Sequence, residues 1–272
     1  MIQFSQMQAS FNAATTIVDV AKLIGEVRDR LEIVHTSEFA NFMHHLFPIL
    51  RDLVVVKTSP QLEDNPENKV RHSLLEIINK FPNNETLKPY VYEIMILSLK
   101  VLADDNEENA IIALKIVFDL HKSFRPSLEQ YILPFLDTVS RLYANMPAAS
   151  RAIYGSTVPS TSTISTPFVR SVESFKVLTE CPIIVMLLFQ FYPRFVAKTM
   201  TQMVPVMLST LSLSPSFAPN AVVHPQQRQR YREFLAAQVK IHCNDAGLLQ
   251  AGIIKDFFTH LITHLLTHSL AE

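Results

Sequence analysis

Three histidines, His260, His264 and His268, are spaced i, i+4, i+8 near the end of the chain. On a helix this spacing places them on one face, and two such imidazoles can share a zinc ion. The zinc-protease helix also needs a glutamate directly after its first histidine, and Leu261 stands there. The outer pair lies about 12 Å apart along a helix axis, too far for one ion. The spacing therefore predicts a polar helix face, and neither a metal nor a cofactor is expected. His44 and His45 are adjacent and diverge around a helix, which makes them weaker ligands still.

No nucleophile has a supporting context. Cys181 and Cys243 are the two cysteines; neither stands in a C-x-x-C pair or a glycine-flanked elbow. Two cysteines also exclude a disulfide framework and a cysteine-rich zinc site. The acidic run Asp104-Asp105-Asn106-Glu107-Glu108 lacks the alternating ligands, central glycine and twelfth-position glutamate of a calcium loop. It reads as a helix start, where negative charge complements the helix dipole. Arg228, Arg230 and Arg232 surround Tyr231. They are the candidate partner-binding residues, able to pair with an acidic segment of another protein. Lys plus Arg is 24 and Asp plus Glu is 25, a formal charge of −1. So even a balance gives no long-range attraction for nucleic acid or an anionic membrane, and neither is an expected partner. With four glycines in 272 residues, the chain has no phosphate-cradling loop, and no small-molecule substrate is expected.

The elements that carry these residues read as helices throughout. Residues 9–34 place Ile17, Val20, Ala21, Ile24, Val27 and Leu31 on one stripe; residues 38–56 do the same with Phe39, Phe42, Met43, Leu46, Ile49, Leu50 and Leu53. Asn65-Pro66 is a cap and first-turn signal for a stripe of Val70, Leu74, Leu75 and Ile78, which stops at Phe81-Pro82. Residues 87–103 follow. Asp105 with Glu108 has the spacing of a capping box ahead of 111–124, and Ser127 with Gln130 repeats it ahead of a helix to about Met146. Period-two strand signals are absent, so the predicted class is all-α. The apolar run 181–192 falls short of the roughly 20 residues that span a bilayer and reads as a core helix. MIQFSQMQASFNAATT has no basic and apolar succession of a secretory leader. Asn84-Glu85-Thr86 fits a glycosylation sequon and is read as a helix-start turn.

Residues 111–120 are apolar nearly all round, so that helix must be covered on more than one side. Pro48, Pro89, Pro134 and Pro205 recur with similar surroundings, at steps of 41, 45 and 71 residues. The last step contains a polar stretch of about 25 residues; without it, the step falls in the range of about 40–47 residues typical of HEAT or armadillo units. The prediction is an α-solenoid of about five HEAT-like helix pairs, one continuous segment over 1–272. The Ser/Thr/Pro-rich stretch at 155–167 cannot form a core and predicts a flexible insertion over 147–171, open to phosphorylation. A second irregular connection at 212–225 precedes a helix at 226–240, and 241–272 is a divergent helical tail.

Three long segments carry a family likeness: HLFPILRDLVVVKTSPQLEDNPENKVRHSLLEIINKFPNNETLKPY, LADDNEENAIIALKIVFDLHKSFRP and VRSVESFKVLTECPIIVMLLFQFY. Over about residues 39–240 they resemble the N-terminal region of the transformation/transcription domain-associated protein family. The resemblance implies a long HEAT solenoid that ends in a pseudokinase. It also implies a nuclear, non-catalytic scaffold shared by SAGA-type histone acetyltransferase complexes, with complex subunits and transcription activators as protein partners. It carries over no functional residue, and the tail 241–272 departs from it. Two other functions fit the helical pattern: an unrelated HEAT or armadillo adaptor or transport receptor, and an all-α metal-dependent hydrolase using a histidine pair of the tail.

Overall fold

A computed structural model describes residues 4–55, 66–154, 175–209 and 232–233. Among them every regular element is a helix, as the apolar stripes predict. The chain divides into two compact units, Met1–Tyr131 and Ile132–Glu272.

The first unit holds α1 (Phe4–Ala13), α2 (Ile17–Asp29), α3 (Phe39–Val55), α4 (Pro66–Asn79), α5 (Val91–Asp104) and α6 (Glu107–Ser123). Short 3-10 turns cover Leu31–His35, Lys88–Tyr90 and Arg125–Tyr131. Consecutive helices pair as α1 with α2, α3 with α4 and α5 with α6. The pairs then stack: α1 packs on α3 and α3 on α5 in one row, α2 on α4 and α4 on α6 in the other. This is the two-row arrangement of a helical repeat array, in which each pair touches its neighbours. α6 meets both α5 and α4. That double cover is why Ala110, Ile111, Ala113, Leu114, Ile116, Val117 and Leu120 are all buried on it.

An aromatic cluster joins the first row to the connection between α4 and α5. Phe81 sits among Phe39, Phe42 and Phe47, at ring-centroid distances of 5.7, 5.8 and 6.5 Å. Phe4 of α1 meets Phe42 edge-on at 6.1 Å, and Tyr90 meets Phe47 at 5.2 Å. Edge-on aromatic pairs contribute about 0.5–1.5 kcal/mol beyond their burial, so this cluster ties three helix pairs' worth of chain together.

The second unit holds α7 (Ile132–Tyr154), α8 (Phe175–Phe191) and α9 (Pro193–Ser209), all in mutual contact. Val177, Leu178, Cys181, Ile184, Val185 and Leu188 form the buried face of α8. The fully buried Tyr143 of α7 donates its hydroxyl proton to the Leu178 carbonyl at 3.1 Å, satisfying the one polar atom its ring brings inside. Among the described residues no helix is long and apolar enough to cross a membrane.

Several boundaries differ from the sequence reading, each for a local reason. The single helix predicted over 9–34 breaks at Ala14–Thr16. There the Thr16 hydroxyl oxygen accepts the Asp19 amide at 3.2 Å and opens α2. The cap of α6 is Asn106, whose side chain accepts the Asn109 amide at 3.0 Å, rather than Asp105 paired with Glu108. Arg125–Tyr131 is a 3-10 turn, so α7 starts at Ile132 and not at Ser127. α7 also runs on to Tyr154, so 147–154, the first part of the predicted insertion, is helical. Its alanines and arginine (Ala148, Ala149, Arg151, Ala152) are strong helix formers. The 155–167 stretch, the 212–225 connection and the 241–272 tail lie outside the described residues. Of the four recurring prolines, Pro134 is in the first turn of α7 and Pro89 in the 3-10 turn before α5. Pro48 and Pro205 are in helix interiors. The four prolines therefore do not share one position in their helices.

Candidate functional site

Among the described residues, no three His, Cys, Asp or Glu side chains approach closely enough to hold a metal ion. His44 and His45 do not diverge fully; their rings meet edge-on at 4.9 Å. Cys181 is fully buried. Burial, and then the neighbouring Glu180 charge, push its thiol far above its ordinary range, so it is no nucleophile. The pocket under the α4–α5 connection, lined by Phe81, Leu87, Ile94, Ile116 and Asp119, offers about 20 Å³ to the centre of a small occupant. That is room for about one water molecule and far below a metabolite site. Arg232 is exposed. Arg228 and Arg230, like His260, His264 and His268, lie outside the described residues.

The main polar locus is elsewhere, at the junction of the second and third helix pairs. α4 presents Asn68, Arg71 and His72; the turn into α6 presents Asp105 and Asn106, and the start of α6 presents Asn109. Arg71 donates from Nε to Asp105 Oδ2 at 2.8 Å and from Nη2 to Oδ1 at 2.7 Å, a two-point ion pair. Its Nη2 also reaches Asn68 Oδ1 at 2.6 Å. The Asp105 carboxylate accepts two more hydrogen bonds, from the Asn106 amide at 2.8 Å and from Asn109 Nδ2 at 3.1 Å. Each carboxylate oxygen thus accepts two donors, which fills the roughly four acceptor sites a carboxylate has. Arg71 and Asp105 are about 5% and 6% exposed, so water contributes little.

The donors fix the orientation of the outer members. Asn109 turns its amide nitrogen to Asp105, so its Oδ1 faces His72 Nδ1 at 3.1 Å. An acceptor there requires the proton on Nδ1, which leaves Nε2 turned to Glu76 at 3.7 Å on the exposed side of α4. The arrangement is a structural network that runs from a buried ion pair to the surface. A saturated Asp105 can neither ligate a metal nor take a substrate proton.

Sequence reasoning missed this network by assigning Asp105 to helix capping. The available signal was Arg71. It precedes Leu75 and Ile78 by four and seven residues, on the very stripe that defines the buried face of α4. A cation on an apolar stripe needs an anion from another element.

No family model matches the chain, and no solved structure does. Curated proteins do. The chain is 32% identical to probable transcription-associated protein 1 of Dictyostelium discoideum and 30% identical to the transformation/transcription domain-associated protein of Danio rerio, in each case over 80% of its length. It is 27% identical, over 70% of its length, to a Saccharomyces cerevisiae protein named SAGA complex/NuA4 acetyltransferase complex subunit TRA1. Over the matched stretch the chain belongs to the transformation/transcription domain-associated protein family. The family members are far longer: the chain spans about 6% of each of these three relatives. The membership agrees with the family likeness of the three sequence segments.

Proposed function

We propose that this chain is a non-catalytic scaffold segment of a transcription coactivator. It holds protein partners within histone acetyltransferase complexes and presents helical surface to transcription activators. The observation that carries this reading is the similarity, over most of the chain, to relatives that include a named SAGA and NuA4 subunit. The fold supports it in kind. Within the first unit, stacked helix pairs give a surface on which many shallow contacts can add up. The charge balance favours protein partners over nucleic acid. A coactivator role places the protein in the nucleus. The candidate arginines Arg228, Arg230 and Arg232 remain the proposed contact for an acidic partner segment.

The test is an immunoprecipitation from native cell extract with an antibody raised to residues 66–146. The expected precipitate acetylates added histones and is enriched in the nuclear fraction. Recovery of the polypeptide from the nucleus with no acetyltransferase activity would overturn the complex assignment. Recovery from the cytosol alone would favour a transport or adaptor role.

A further inference from the structure

We infer that the Arg71–Asp105 cluster is a register lock between the second and third helix pairs, and that its contribution lies in specificity rather than in net stability. α4 packs on α6, and both helices are rich in buried apolar side chains. Val70, Leu74, Leu75 and Ile77 on α4, and Ile111, Leu114, Ile116 and Val117 on α6, are aliphatic and buried. Such faces repeat every three or four residues, so α4 slid by one turn, about 5.4 Å, still meets apolar surface. Apolar patterning alone therefore leaves neighbouring registers close in free energy.

The polar cluster removes that degeneracy. Arg71 reaches Asp105 through two short bonds, and Asp105 is in turn held by the Asn106 amide and Asn109. A one-turn slide separates the two ions while both stay covered. An unpaired buried charge is among the most costly features a fold can contain. The native register keeps the pair, and shifted registers are excluded. The cluster also sits on a turn, with Asp105 ahead of the α6 cap, so it reports both the axial position and the rotation of α6. Buried ion pairs elsewhere often give little net stability over an apolar replacement, and their best-attested use is to fix register.

The experiment uses the 272-residue chain with methyl-labelled Leu, Ile and Val. The variants are Arg71→Met with Asp105→Asn together, and Phe81→Leu as a control that weakens the core without touching the cluster. Asn at 105 can still accept the Asn106 amide, and the α6 cap, the Asn106 side chain on the Asn109 amide, is left in place. The expected double variant keeps a folded-to-unfolded ratio within about tenfold of the parent, but the methyl signals of Leu74, Ile77, Ile116 and Val117 broaden or double. The parent and Phe81→Leu each show one sharp set. A double variant with one sharp set at these methyls overturns the lock. A double variant that does not fold overturns it equally, because the pair would then be a requirement of folding and not a choice among registers.

Discussion

Two arginines in the first unit cross between helix pairs, one in each row, and they do so in opposite surroundings. Arg51 of α3 meets Glu93 of α5 and its own neighbour Asp52 at the surface, with its side chain about one-third exposed. Arg71 of α4 meets Asp105 under cover, with both side chains less than a tenth exposed. Both are guanidinium–carboxylate pairs, and both reach from one helix pair to the next. Water decides the difference. At the surface, solvent and salt weaken the attraction and would satisfy either ion alone. Inside, neither ion has that alternative, so the pair stands or falls together. Arg51 is held even further into its charged range by hydrogen bonds to Asp52 and Glu93, which changes nothing for a group that is already a cation.

The largest expected effect comes from breaking the buried pair on one side. Asp105→Ala strands the Arg71 cation and should cost about 3–5 kcal/mol in urea unfolding; a cost near that of a surface pair would erase the contrast. The next effect sharpens the contrast with a buried group held neutral by desolvation. His121 is fully buried, and desolvation lowers its pKa from 6.5 to about 4. The unfolded chain then binds a proton that the folded chain refuses. Stability is full above pH 6.5 and falls as pH drops toward 4, by about 3 kcal/mol for this residue. His121→Leu should flatten that part of the stability–pH curve, and an unchanged slope would remove the assignment.

A smaller change calibrates the surface side without any charge. Gly25 lies inside α2, and a β-carbon there meets nothing within 4 Å. Gly25→Ala should raise stability by about 0.4–1 kcal/mol through the unfolded chain's lost freedom. The smallest effect belongs to the exposed pair. Glu93→Ala should cost about 0.2–1 kcal/mol at low salt and still less in 1 M salt. A cost above about 1 kcal/mol, or one that survives salt, would mean that Arg51–Glu93 is more enclosed than its exposure says.

The same contrast marks what could be read from the sequence. The stripes through Phe42, Met43, Leu46 and Leu50, and through Leu74, Leu75 and Ile78, are buried as the 3.6-residue period requires. Burial of apolar area repeats along a helix, so periodicity exposes it. The break at Thr16 was available from Thr16 and Asp19 at cap spacing, but the apolar stripe ran on across it and masked the signal. The Asn106 cap lies inside an acidic run with two plausible caps, and the Asp105 carboxylate also suits a helix start. What settled the matter was 34 residues away, in Arg71. A pairing between distant elements leaves no period in the chain, only an ill-fitting residue type at each end.

Pro48 has a further consequence. It sits inside α3 and supplies no amide proton, so the carbonyl four residues earlier, on His44, has no helical donor. In the first unit the described helices of the other row, α2, α4 and α6, carry no such interruption: Pro66 of α4 is its first residue. One row therefore has a compliant point and the other has none. Under a bending load the unit should behave like a laminate of a soft and a stiff strip. It should yield more readily about the axis that opens or closes α3, and strain should concentrate within a turn of His44.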